Sequence, residues 1–176
     1  MKRRLLAAVF SAAVVLTFSV AAMAQTTRTF SLSAGDTMTP ASPGFDPAGG
    51  TTYYGGLVAG QATGTTSGIF TLSLTFRSTG AVDAAAGIYG GLIVSPYSSF
   101  VVNQGSGRKT VSTSGSIDSG TVTYRLTPEG FADIISVSSN SLTVWEGKNK
   151  RRTAVGTGTL EYGTSLEGSG SLTLSF

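Results

Sequence analysis

From Ile69 to Arg77 the chain alternates without a break: Phe70, Leu72, Leu74 and Phe76 occupy one parity, Thr71, Ser73 and Thr75 the other. A period of two places each set on its own face of a pleated strand, so this segment predicts a half-buried antiparallel strand within Gly68–Arg77. The same rhythm, apolar against hydroxyl, predicts a first strand over Arg28–Ala34 and a glycine-broken one over Tyr53–Gln61. Further strands are predicted over Ile88–Val94, Ser99–Val102, Thr110–Ile117, Thr121–Leu126, Phe131–Ser138, Leu142–Glu146, Thr153–Tyr162 and Ser169–Phe176. Two short helical pieces compete with this reading: one turn at Asp83–Ala86, and a helix over Pro128–Ile135 that Thr127 would cap.

The alternation fails between Gly35 and Gly50, where Pro40, Pro43 and Pro47 accompany Asp36 and Asp46. Three prolines in eight positions predict an irregular loop over 35–50, long enough to be a lid or binding loop. Asp46, with Tyr53 and Tyr54 just beyond it, supplies the ligand-binding candidates. Strands of this length separated by Gly, Ser and Asn turns predict an all-β fold, a single antiparallel meander barrel of about eight strands, with a β-sandwich as the second choice.

Composition divides the chain at Ala24. Lys2, Arg3 and Arg4, the apolar run Leu5–Val20 and the small-residue pattern Ala22-Met23-Ala24 predict a secretory signal peptide over 1–24, followed by one domain over 25–176. The leader takes three of the twelve Lys and Arg, leaving nine cations against nine acids. The expected location is therefore the periplasm or the extracellular space of a bacterial-type cell. Leu5–Ala24 also has the length of a membrane span if it is not cut. Gly, Thr and Ser make up 70 of the 152 residues after Ala24, and the patterned apolar positions among them argue for order rather than low-complexity disorder.

The glycine-patterned tail Val155-Gly156-Thr157-Gly158-Thr159-Leu160-Glu161-Tyr162-Gly163, continued by Thr164-Ser165-Leu166-Glu167-Gly168-Ser169-Gly170-Ser171-Leu172, resembles the closing hairpin of allene oxide cyclase-like and dirigent-like β-barrels. The resemblance covers residues 155–172 alone. It implies an eight-stranded barrel with a small interior of the kind associated with apolar ligands, and carries over no site residue.

The chain has neither Cys nor His, which removes thiol and imidazole catalysis and thiolate or imidazole metal sites. No metal site and no cofactor are expected. Gly105-Ser106-Gly107-Arg108-Lys109-Thr110 lacks phosphate-loop spacing, since Arg108 separates the glycine from Lys109. A carboxylate-dependent hydrolase or isomerase would have to use a pair such as Glu146 and Glu161, on neighbouring predicted strands. Two basic turns, Arg108-Lys109 and Lys148, Lys150, Arg151, Arg152, would emerge at one end of an up-and-down sheet if four strands separate them, forming an anionic-surface rim. Nucleic acid is not an expected partner, because no aromatic run interleaves with these cations.

The resulting expectation is an exported binding or structural module rather than an enzyme, with an apolar small molecule or an anionic lipid or polysaccharide as its partner. The alternative is a small outer-membrane barrel, for which the ending Leu172, Leu174, Phe176 has the right form.

Overall fold

The computed structural model describes residues 25–46, 50–106, 109–148, 151–163 and 169–176. Nine strands follow one another: β1 (Thr27–Asp46), β2 (Thr51–Thr63), β3 (Ser67–Asp83), β4 (Ile88–Ile93), β5 (Ser99–Ser106), β6 (Lys109–Leu126), β7 (Ala132–Lys148), β8 (Arg151–Gly163) and β9 (Ser169–Ser175). Every pairing is antiparallel, and the pairings close: β1 to β2 to β3, β3 to both β4 and β5, these two to β6, then β7, β8, β9 and back to β1. β4 and β5 together fill a single place in the ring. The fold is thus an eight-place antiparallel barrel with meander connections, partly closed into a ring that covers most of the edges an open sheet would have to protect.

The period-two pattern sorts the two faces. Inward positions carry Phe30, Leu32, Val58, Phe70, Leu72, Leu74, Phe76, Phe100, Val102, Ile117, Val122, Ile134, Val137, Leu142, Val144, Leu160, Leu172 and Leu174, all buried. Outward positions carry hydroxyls that line up across the strands. One such rung runs Thr27, Ser175, Thr157, Thr143 and Ser116, and another Ser31, Ser171, Glu161, Ser138 and Thr121.

Glycine permits the tight coiling of the last hairpin. A Cβ on Gly156 would strike the Ser175 carbonyl, and one on Gly170 the Glu161 carbonyl, so β8 and β9 approach closer there than any side chain allows. Where β4 gives way to β5, buried Ser98 joins the broken place to β3. Its hydroxyl accepts from Thr75 N–H at 2.9 Å and donates to the Thr75 carbonyl at 3.0 Å.

Three sequence expectations change. Over 35–46 the expected irregular loop is instead the second half of β1, which stays paired with β2 to Asp46↔Thr51 through two register shifts, between Ala34 and Met38 and between Thr39 and Ser42; residues 47–49, with Pro47, lie outside the described residues. β9 leaves β1 at Ser33↔Ser169, and beyond it β1 meets β7 only at Ala41↔Ala132. Pro40 and Pro43 therefore sit where one side of β1 is almost bare, the position in a sheet that tolerates a missing donor. The expected helix over Pro128–Ile135 is a tight turn: Gly130 N–H donates to Thr127 O at 2.9 Å, Gly130 takes φ +84°, and β7 begins at Ala132. The turn after Asp83 forms, with both Ala85 and Ala86 N–H donating to its carboxylate at 3.1 Å. Finally, the two predicted strands over 110–126 are one, β6, bent by register shifts around Ser119, and those over 131–146 are likewise one, β7.

Candidate functional site

Strand direction decides which turns share an end. The start of β1, the β2–β3 turn, the β5–β6 turn, the β7–β8 turn and the end of β9 emerge together; the β1–β2, β3–β4, β6–β7 and β8–β9 turns emerge opposite. Two strands, not four, separate the two basic turns, but either even number returns the chain to the same end. Lys109 pairs with Ser106, Lys148 with Arg151 and Arg152 with Gly147, so these four cations terminate two neighbouring hairpins. Arg108 and Lys150 lie outside the described residues.

Arg28 joins them at the same end. Its position in the inward series Arg28, Phe30, Leu32 turns it toward the barrel mouth, where its guanidinium carbon lies 5.1 Å from the centre of the Phe176 ring. Among the described residues this end holds Arg28, Lys109, Lys148, Arg151 and Arg152 against one acid, Glu146. The opposite end holds Asp46, Asp83, Glu129 and Asp133 with Arg125, and Arg77 on β3 lies toward the same end, paired with Tyr53. The described charges are therefore polarised along the barrel axis.

At the basic end the ring comes apart. The β6–β7 ladder stops at Ser114↔Trp145, while β5–β6 pairing continues to Ser106↔Lys109 and β7–β8 pairing to Lys148↔Arg151. The β5–β6 and β7–β8 ladders run on past that point without pairing between β6 and β7. At this end lies a cleft of about 560 Å³ lined, among the described residues, by Val111, Ser112, Thr113 and Ser114 of β6, Val144 and Trp145 of β7, Val155 of β8, and Arg28 and Phe176. Val155 is the extra residue of the register shift that sets Val144↔Gly156 beside Trp145↔Ala154. Val111 has the inward parity of Thr113 and Ile117 yet is 55 % exposed, at the level where β6 no longer pairs with β7. A second recess of about 450 Å³ shares Arg28 and Val111 and continues past Thr29 and Phe30 to Thr65, Thr66, Gln104 and Gly105. Gln104, buried, donates through Nε2 to the Thr66 carbonyl at 2.7 Å and holds that wall.

The other candidate residues do not converge. Tyr53 and Tyr54 are successive on β2 and face opposite sides of it. Tyr54 is buried in an aromatic cluster, 5.5 Å from Phe76 and 5.1 Å from Tyr124 between ring centres, with Tyr89 on the far side of Tyr124. Burial, and then the neighbouring Tyr124, push its hydroxyl above the ordinary tyrosine range. Asp46 closes the β1–β2 ladder opposite Thr51, at the acidic end. Glu146 pairs with Thr153 and Glu161 with Ser138, so eight residues of β8 separate their levels. At about 3.3 Å per residue that is roughly 26 Å, far beyond the spacing at which two carboxylates share a glycosidic bond. Glu161 instead accepts from Ser138 Oγ at 2.6 Å on the exposed outer face.

Sequence reasoning named the two basic turns but not the cleft between them. One signal for it was present: Arg28 occupies the core parity of a strand whose next two inward residues are Phe30 and Leu32. The stopping point of the β6–β7 ladder has no such signature, since Ser114 and Trp145 both fit a continuing strand. Searches of protein families, of curated proteins and of solved structures find no match to this chain.

Proposed function

We propose that this protein is an exported, non-enzymatic β-barrel module that binds anionic partners end-on, at the face carrying Arg28, Lys109, Lys148, Arg151 and Arg152. The observation that carries the reading is the separation of charge between the two ends. Such a field orients a net-neutral molecule, drawing the basic end to a negative surface while the end with Asp46, Asp83, Glu129 and Asp133 is repelled. The packed interior supports a surface site over a ligand inside the barrel. The hydroxyl rungs on the outer faces favour a barrel in water over one in an outer membrane, where the outward band would be apolar. The eight residues of β8 that separate the backbone levels of Glu146 and Glu161 weigh against a carboxylate-pair hydrolase or isomerase.

The test is retention of the chain from Gln25 on dextran sulfate and on anionic vesicles across a salt gradient. The wild type should bind at low salt and elute as salt rises, and the triple variant Lys148→Ser, Arg151→Ser, Arg152→Ser should elute much earlier. Equal elution of the two proteins overturns the proposal.

A further inference from the structure

The recess of about 450 Å³ at the barrel mouth brings one cation, Arg28, and one uncharged amide, Gln104, to the same space. Arg28 holds the inward position above Phe30 on β1, and Gln104 the inward position above Val102 on β5. Gln104 is 8 % exposed, and its partner fixes its orientation: the Thr66 carbonyl can only accept, so the amide turns Nε2 to it, at 2.7 Å. The same nitrogen donates to Thr66 Oγ1 at 3.1 Å. Two groups are left over. Gln104 Oε1 meets no donor among the described residues, and the Thr66 hydroxyl, already accepting, keeps its own proton to give. The described lining holds no acid, and its apolar side chains are Phe30 and the exposed Val111.

Each group excludes a class of ligand. The Arg28 guanidinium, one face against the Phe176 ring, presents a planar fork of donors that suits a carboxylate held edge-on. Gln104 Oε1 opposes a second anionic oxygen and calls for a donor, which a sulfate or a second carboxylate does not carry. A fatty chain would leave both the amide oxygen and the threonine hydroxyl without partners. A ligand hydroxyl serves both, donating to Gln104 Oε1 and accepting from Thr66 Oγ1, while Val111 and Phe30 meet a carbon skeleton. We infer that this recess binds a hydroxylated monocarboxylate of the sugar-acid class, its carboxylate on Arg28 and one of its hydroxyls between Gln104 and Thr66.

About 450 Å³ lies within the range of small-molecule sites, and barrel mouths are among the places where such sites form. The wall is built in advance. Gln104 ties β5 to the β2–β3 turn, and a Cβ on Gly64 of that turn would lie 3.0 Å from Phe30 Cδ1, so the turn rests directly on the Phe30 ring. The sign of the ligand rests on the end-on anionic reading above; its hydroxyl rests on Gln104 and Thr66 alone.

The side-chain amide of Gln104 reports from inside the recess by NMR. The isotopically labelled chain from Gln25 is titrated with galacturonate, and in parallel with galactose, acetate, inorganic phosphate, dextran sulfate and a galacturonate oligomer. The expected result is a saturable shift of the Gln104 amide signals with galacturonate, weaker binding of acetate, and no response to galactose or phosphate. Arg28→Lys, at an exposed position, should weaken galacturonate roughly tenfold, because a point charge replaces the fork. Gln104→Leu, followed at the Thr66 backbone amide, should weaken galacturonate roughly tenfold and acetate by less than about twofold, since acetate has no hydroxyl to lose. The triple variant Lys148→Ser, Arg151→Ser, Arg152→Ser should lose dextran sulfate binding yet keep galacturonate within about twofold, because none of those cations lines the recess.

Equal affinity for galactose overturns the inference by removing Arg28 from the site. A response to phosphate equal to that of galacturonate overturns it in favour of a free-anion site. Equal weakening of acetate and galacturonate in Gln104→Leu overturns it by reducing Gln104 to a wall. A response to the galacturonate monomer, the oligomer or both supports it, and the pattern names the free acid or an acidic polysaccharide as the source. Salt-sensitive binding of dextran sulfate with no response to either galacturonate probe overturns the recess and leaves end-on anionic docking standing. No binding of any probe overturns both.

Discussion

Arg28 and Phe176 meet across the seam of the barrel, guanidinium carbon to ring centre 5.1 Å, where the first strand closes on the last. Arg28 pairs in register with Leu174, and the Phe176 N–H donates to the Thr26 carbonyl at 3.0 Å, so the contact covers the point at which the two ends of the ring join. A double-mutant cycle of Arg28→Ala with Phe176→Leu, followed by urea denaturation, should return a coupling of about 0.5–1 kcal/mol, the range for a cation–π pair at a wet site. Zero coupling would mean that the ring contributes packing only.

Gly115 faces the core between strands, and a Cβ there would meet the Thr143 carbonyl and the Phe100 ring. Gly115→Ala should therefore cost about 1–3 kcal/mol through forced displacement of β7 or Phe100. Gly105→Ala is the internal control, because its nearest neighbour would be Thr110 Oγ1 at 3.8 Å, an ordinary contact. Thermal unfolding of the two variants should separate them clearly.

Ser98 lies buried at the break between β4 and β5, and its hydroxyl serves both the N–H and the carbonyl of Thr75. Ser98→Ala strands the Thr75 donor in a place water does not reach, with an expected loss of about 1–3 kcal/mol. Amide exchange at Thr75 should accelerate in that variant, whereas exchange on β8 and β9 should follow only the global change.

Tyr54 and Tyr162 both ionise above the ordinary tyrosine range because burial disfavours the phenolate, and Tyr124 adds to the effect at Tyr54. With the folded value raised above an unfolded one near 10, the unfolded chain loses these protons first. The stability they confer is present in full below about pH 10 and declines as pH rises from there through the folded values. Urea midpoints measured from pH 8 to 11 should fall above pH 10 in the wild type and fall less steeply in Tyr54→Phe.

Tyr162 has a second consequence. Among the described residues its hydroxyl is buried without a hydrogen-bond partner, beside Phe70 at 5.8 Å between ring centres. Removing an unsatisfied buried hydroxyl while keeping the ring should not destabilise, so Tyr162→Phe is expected to be neutral or stabilising by about 1 kcal/mol. A loss of more than that would reveal a partner such as an ordered internal water.

Much of the barrel is legible in residue order because a strand advertises its faces locally. Phe70, Leu72, Leu74 and Phe76 alternate with hydroxyls in the chain and point inward in the fold, and Gly156, Gly158 and Gly170 of the glycine-patterned tail sit where neighbouring carbonyls crowd. The proline segment misled for a reason that is not local. Pro40 and Pro43 are incompatible with a strand paired on both sides, yet β1 has lost β9 by that point, and only the three-dimensional ring shows which edge is bare.

The basic end follows the same division. Alternation and turn placement already sent the two basic turns to one end, since antiparallel connections return there whatever the strands contain. That Glu146 and Glu161 stand eight residues apart in level, that Tyr54 is core while Tyr53 is not, and that β6 and β7 part at Ser114 and Trp145 depend on register and barrel closure. Register is a relation between residues distant in sequence, set by how twenty or more side chains fill one interior together. Local pattern can therefore write the strands and their faces, whereas the cleft where β6 and β7 part exists only once the ring has closed.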